Sequence, residues 1–260
     1  MSRIVHDTGS GPAVLMAHGT MMDWSMFIPQ ILALRDHNRI VAFNQRARTD
    51  AADTPYSLSE LAADCRLVMD ELGIERCVLA GMSMGGFMAM EFANLFPERI
   101  DGLILIGSQI GAYTNDEQAL FGAEFAKFNC DGKVTRDLAE GSASLVFGAT
   151  STTDRKELIG EWIERWSELP ARSVYYETQS WLSKSEHRTI ARSVNKPVLV
   201  VHGEEDYVLP IDAKTDEMRA AFPDVEIARI AKAGHLVNLE QPAATNNAIA
   251  RFLARIGYRR

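Results

Sequence analysis

Cysteine is scarce in this 260-residue chain: the three present, Cys65, Cys77 and Cys130, are odd in number and widely spaced. That pattern fits neither a disulfide framework nor the paired spacing of a zinc site, so they read as reduced thiols. Long apolar runs are missing too. None reaches the roughly 18 residues that a membrane-spanning helix needs. The chain opens on strand-like Arg3-Ile4-Val5 in place of an apolar signal segment, and a cytoplasmic location is the expectation. Basic residues are in deficit, 27 Lys and Arg against 35 Asp and Glu, for a net charge of −8. Such a balance repels phosphate backbones and anionic membrane surfaces. It argues against nucleic acid and membrane partners and for a small, neutral or modestly polar substrate; a homo-oligomer is compatible with it. Low-complexity tracts and internal repeats are also lacking, and 47% hydrophobic with 24% charged residues is an ordinary globular composition.

What is present is an alternation of short apolar runs with longer amphipathic stretches, the pattern of βαβ units around a parallel sheet. The runs Ala13 to Ala17, Ile40 to Phe43, Cys77 to Ala80 and Leu103 to Ile106 are too short for helices and are bounded by Gly, His or polar residues. They predict buried parallel strands, with two more at Pro197 to Val201 and Val225 to Ile230. Helices are predicted over Leu58 to Leu72, with Ser57 or Ser59 as cap, over Met84 to Leu95, which stops before Pro97, and over Thr245 to Ile256.

From about Gly111 to Ser193 the rhythm breaks. Helix-like segments such as Arg155 to Leu169 and Val174 to Lys184 follow one another without a clear strand between them. The expected organisation is one α/β core, residues 1–110 and 194–260, interrupted by a helical cap at 111–193. The cap is rich in aromatics, Trp162, Trp166 and Trp181 among them, which either line a pocket or pack the cap onto the sheet.

The most informative string is Gly81-Met82-Ser83-Met84-Gly85, a G-x-S-x-G set between an apolar strand and an apolar helix. A nucleophile on so sharp a turn sits in strained backbone, and only small residues fit two places to either side. The helix starting near Met84 aims free N–H groups at the serine, which stabilises negative charge developing there.

Serine is a weak nucleophile near neutral pH and needs a base, with a third group to fix the base's tautomer. His235, in Ala233-Gly234-His235-Leu236, follows the last predicted strand, and Asp206, in His202-Gly203-Glu204-Glu205-Asp206, follows the one before. Both belong at the carboxyl ends of parallel strands, the edge that presents Ser83. Glu204 and Glu205 compete with Asp206, but a longer side chain nearer the strand end places its carboxylate differently. The other histidines, His6, His18, His37, His187 and His202, read as structural. Two backbone donors must meet the developing oxyanion. The N–H of Met84 is one, and that of Thr20, in the turn Ala17-His18-Gly19-Thr20-Met21, is expected to be the other. Met21, Trp162, Trp166, Trp181, Val208 and Leu236 are expected to contact substrate.

These residues together resemble the α/β-hydrolase superfamily over essentially the whole chain: His18-Gly19, the turn around Ser83, Phe96-Pro97-Glu98-Arg99-Ile100, Gly203 through Asp206 to Pro210, and Gly234-His235. Gly85-Gly86 and Glu240-Gln241-Pro242 look like the group of 3-oxoadipate enol-lactonases, small carboxylesterases and cofactor-free perhydrolases. The resemblance implies a mostly parallel sheet flanked by helices, a Ser-His-Asp triad and a lidded pocket. No cofactor and no metal enters this scheme. Members commonly carry Asp-x-x-Gly-x-Gly-x-Ser after the strand ending here at Phe43, whereas this chain reads Asn44-Gln45-Arg46-Ala47-Arg48-Thr49-Asp50. Arg46 or Arg48 then either reaches an acidic substrate group or lies solvated. The expected activity is ester or lactone hydrolysis. Carbon–carbon bond hydrolysis or perhydrolysis by the same triad, and a receptor-like member without turnover, are the alternatives.

Overall fold

The computed structural model describes residues 4–258, so Arg3 of the strand-like opening lies outside the described residues. The strands are β1 (Val5–Thr8), β2 (Ala13–Ala17), β3 (Arg39–Phe43), β4 (Cys77–Met82), β5 (Ile100–Ile106), β6 (Val198–Gly203) and β7 (Val225–Ile230). They form one sheet in the order β1-β3-β2-β4-β5-β6-β7. Only the edge pair β1 and β3 is antiparallel, and the other pairings are parallel.

Strands β2, β4 and β6 are buried at every residue, as expected of a parallel sheet covered on both faces. Successive side chains serve opposite cores. Val14, Met16, Val78, Ile104 and Leu199 pack on one face, while Leu15, Leu79, Leu103, Leu105 and Val200 pack on the other. Each such residue contributes roughly 1.5–3 kcal/mol by leaving water. Strand β4 runs past Ala80 to Met82 because Gly81 and Met82 pair with Leu105 and Ile106.

Helices α1 (Ile28–Leu34), α2 (Leu58–Glu71) and α3 (Met84–Leu95) follow β2, β3 and β4. Ser57 caps α2, its hydroxyl accepting from the Glu60 N–H while the Glu60 side chain accepts from the Ser57 N–H. Between β5 and β6 lie α4 (Asn115–Ala126), α5 (Arg136–Val146), α6 (Ala149–Asp154), α7 (Lys156–Ser167), α8 (Ala171–Leu182) and α9 (Arg188–Ser193). Helix α9 packs on α3, and its Ala191 joins the core beneath the sheet. Helices α10 (Ile211–Ala221), α11 (Val237–Glu240) and α12 (Pro242–Arg255) complete the chain. The last begins at Pro242, ahead of the predicted Thr245, since a proline fits the first helical position.

From β2 the chain winds outward to β3, then returns to β4 and proceeds the other way to β7. The switch point lies between β2 and β4, whose carboxyl ends carry His18-Gly19-Thr20 and Ser83. Pairing of Ala17 with Gly81 brings the two turns side by side.

Candidate active site

Ser83 sits between β4 and α3 with φ 50° and ψ −115°, a conformation a non-glycine residue holds only under strain. Its backbone is over-determined: the N–H donates to Ile106 O at 2.8 Å, and its carbonyl accepts from the N–H groups of Gly86 and Phe87. The flanking glycines are required by close approach. A Cβ on Gly81 would lie 2.2 Å from Gly85 O, and one on Gly85 would lie 2.1 Å from Ala17 O.

The structure brings Ser83, His235 and Asp206 into one hydrogen-bonded chain. His235 Nε2 is 2.9 Å from Ser83 Oγ, and His235 Nδ1 is 2.9 Å from Asp206 Oδ2. With the carboxylate as acceptor, Nδ1–H donates to Asp206, which leaves Nε2 to accept the serine proton. Asp206 Oδ1 accepts from the N–H groups of Val208 and Leu209, both at 2.9 Å, and His202 Nε2 lies 3.2 Å from Oδ2. Burial works to raise the Asp206 pKa, but the charge facing it from His235 and the hydrogen bonds from both histidines outweigh burial and hold it well below the carboxylate range. Glu205 is engaged elsewhere, accepting from the N–H and Oγ1–H of Thr150 in α6.

Two further carboxylates, buried completely, brace the loops of this site, and neither had a signal in the sequence beyond the Glu240-Gln241-Pro242 string. Glu240 accepts from the N–H groups of Gly148, Gly234 and Leu236, clamping the residues on both sides of His235. Glu177, on α8, accepts from the N–H of Met21 at 2.9 Å and from Arg48 Nη2 at 3.1 Å. Burial raises the pKa of both. Met21 has φ 63°, so the turn that carries Thr20 is itself strained and is held by α8. A second bond from α8 runs from Trp181 Nε1–H to Thr20 Oγ1 at 2.9 Å.

His18, at the start of this turn, is buried and neutral. Burial, helped by the nearby Arg48 charge, lowers its pKa to about 4. Its Nε2 accepts from the Gln45 N–H at 3.0 Å, so Nδ1–H is free to donate to Gly19 O. The arginines of the unusual loop are both paired. Arg46 binds Asp64 at 2.6 Å and Glu60 at 2.9 Å, and Arg48 binds Glu177. Neither expectation for them holds: they meet carboxylates of the protein itself, Arg48 almost wholly buried.

A cavity of about 280 Å³ opens onto Ser83 and His235. Thr20, Met21, Trp166, Trp181, Val208 and Leu236 line it, together with Phe121, Phe125, Phe128, Leu145 and others. Trp162 departs from the expectation. It is buried outside the lining, its ring centroid 6.2 Å from that of Trp166, with the Arg165 guanidinium stacked over it at 4.2 Å. Trp162 and Trp166, four residues apart, share one face of α7, and Trp162 sits one turn nearer the helix start, beyond the end of the cavity. Met84 contributes backbone at the start of α3, its side chain buried against Ser180. Among the described residues, no three His, Cys, Asp or Glu side chains are grouped as a metal site requires. No helix among them is long and apolar enough to cross a membrane.

The chain is similar to known proteins. A family model described as alpha/beta hydrolase fold matches residues 12–242. The 2-(acetamidomethylene)succinate hydrolase of Mesorhizobium japonicum is 26% identical over 258 residues, covering 96% of this chain and 90% of that protein. The 3-oxoadipate enol-lactonase 1 of Acinetobacter baylyi is 25% identical over 236 residues, covering 90% and 85%. A thermophilic esterase from Thermogutta terrifontis superposes with a TM-score of 0.90 at 23% identity, covering 98% of this chain and 93% of that one, a likeness of fold. Since the family match runs from β2 through the Ser83 turn to the His235 loop, the chain belongs to the α/β-hydrolase family and is an enzyme of that kind.

Proposed function

We propose that this protein is a serine hydrolase that cleaves a small-molecule ester or lactone through an acyl-enzyme. The observation that carries the reading is the unbroken chain from Ser83 Oγ through His235 to Asp206 Oδ2, opening into an apolar cavity. Ser83 Oγ attacks the carbonyl carbon as His235 Nε2 takes its proton. The oxyanion is met by the N–H groups of Met84 and Thr20, the first at the positive end of α3. His235 returns the proton to the leaving alkoxide, and the C–O bond breaks. Water, deprotonated by the same imidazole, then releases the acid and restores Ser83. Asp206 stays ionised throughout, fixing the imidazole tautomer and stabilising the imidazolium that forms. Helices α4–α8 serve as the cap that covers Ser83 and selects substrate.

The test combines a fluorophosphonate probe with a panel of p-nitrophenyl esters and lactones. Labelling of Ser83, turnover of at least one substrate, and a loss of about 10³-fold or more in Ser83→Ala with unchanged melting behaviour are expected. A Ser83→Ala variant with near-native rates refutes the mechanism. Absence of both labelling and turnover would make the protein a member of the fold that binds without reacting.

A further inference from the structure

The cavity differs from its surroundings in the fate of its cations. Among the described lining residues there is no lysine or arginine, and the one carboxylate is that of Glu124. Three cations near the lining already have partners, two of them with buried side chains. Arg48 is held by Glu177, which in turn holds the lining residue Met21. Lys127 pairs with Glu124 at 2.6 Å. Lys184, behind the lining residue Tyr113, donates to Gly111 O and lies over the Phe87 and Tyr113 rings. The inner wall is instead built from rings and thioethers such as Phe121, Phe125, Phe128, Trp181, Met22 and Met82.

On the serine-hydrolase reading above, we infer that the substrates are esters or lactones with an uncharged, apolar acyl portion, and that an acyl chain ending in a carboxylate is rejected. The acyl group is the part that stays on Ser83 while alcohol leaves and water arrives, so it is the part the enclosed cavity must hold. An alkyl or aryl chain gains there by leaving water. A carboxylate carried to the same depth loses its hydration and finds no cationic side chain in exchange, since the lining has none and the buried side chains of Arg48 and Lys184 nearby are already bonded. The cavity lies just under the roughly 300–1,000 Å³ of drug-sized sites, so the chain it takes is short to medium.

The experiment compares p-nitrophenyl hexanoate with the mono-p-nitrophenyl ester of adipic acid, equal in chain length and leaving group and different in the terminal charge. The expected result is a kcat/KM for the hexanoate about 100-fold or more above that for the ionised half-ester, each tenfold corresponding to about 1.4 kcal/mol of discrimination. Leu120, at the cavity rim and mostly exposed, offers a second variant that does not disturb the core. Leu120→Arg should narrow the ratio about tenfold by supplying a hydrated cation to the chain end. A ratio within about threefold in the native enzyme overturns the inference. So does fluorophosphonate labelling of Ser83 with neither ester turned over, an outcome that leaves the nucleophile assignment standing. Loss of both labelling and turnover removes the serine-hydrolase reading, and this inference with it.

Discussion

Replacing Glu177 separates the charge of a buried pair from the hydrogen bond it makes to the Thr20 turn. The side chain is fully buried, and that of Arg48 is 7% exposed, so neither is compensated by water. Glu177→Ala leaves a buried guanidinium with the Ala47 carbonyl as its remaining partner and leaves the Met21 N–H without its acceptor. Breaking one side of such a pair costs about 3–5 kcal/mol, against the roughly 5–15 kcal/mol that keeps a domain folded. The variant therefore folds, with a Tm lower by about 10 °C. With Met21 at φ 63°, loss of the clamp also lets the strained turn relax and move the Thr20 N–H from the oxyanion, which costs about 10²-fold in kcat. Glu177→Gln keeps an oxygen for the Met21 N–H and removes the charge. Its Tm should fall while kcat stays within about threefold, and Glu177→Gln with Arg48→Met should recover much of the Tm. The assays are thermal melts and steady-state kinetics on p-nitrophenyl hexanoate, well below each variant's Tm. If Glu177→Ala kept native kcat, the turn would not depend on Glu177. If Glu177→Gln lost as much kcat as Glu177→Ala, the charge and not the hydrogen bond would be what the site needs.

Asp206→Asn should lower kcat by about 10³–10⁴-fold with little change in Tm, because an amide misplaces the imidazole tautomer. Glu205→Gln should do the reverse, loosening the Thr150 attachment with kcat nearly intact, and an inactive Glu205→Gln beside a silent Asp206→Asn would reverse the assignment of the acid. His18 supplies an acid-sensitive term. Its pKa falls from 6.5 to about 4 on folding. Between those values the unfolded chain binds a proton the folded one does not, so stability falls as pH drops through that window, by about 3 kcal/mol in all. The raised pKa values of Glu177 and Glu240 act in the opposite direction, so the check is a difference: urea midpoints at about pH 7.5 and about pH 4.5 should converge more for His18→Gln than for the native chain. Equal acid sensitivity would remove His18 as the cause. Trp181→Ala and Trp166→Ala should shift the preference among acyl chain lengths, while Trp162→Ala should lower Tm and leave relative rates unchanged; a shift in the Trp162 variant would contradict its place outside the cavity.

What the sequence determined by itself was whatever is encoded over a few residues or a regular period. Fully apolar runs such as Ala13 to Ala17 admit only a strand buried on both faces, and Gly81-Met82-Ser83-Met84-Gly85 between such a run and an amphipathic stretch admits only a tight turn. Ser83, Asp206 and His235 were legible because each sits in the turn or loop that follows a strand, and parallel strands bring such positions to one edge whatever the distance along the chain. Tertiary structure decided the partners. Nothing near Arg48 announces that it meets Glu177, 129 residues away, or that this carboxylate holds the Met21 N–H. Trp162 and Trp166 lie on one face of one helix and read alike, yet only Trp166 reaches the cavity, because the elements packed around α7 set where along it the cavity ends. A side chain's type limits the bonds it can make, but burial and charge compensation depend on segments remote in the chain, and those meet only when the helices between β5 and β6 pack against the rest.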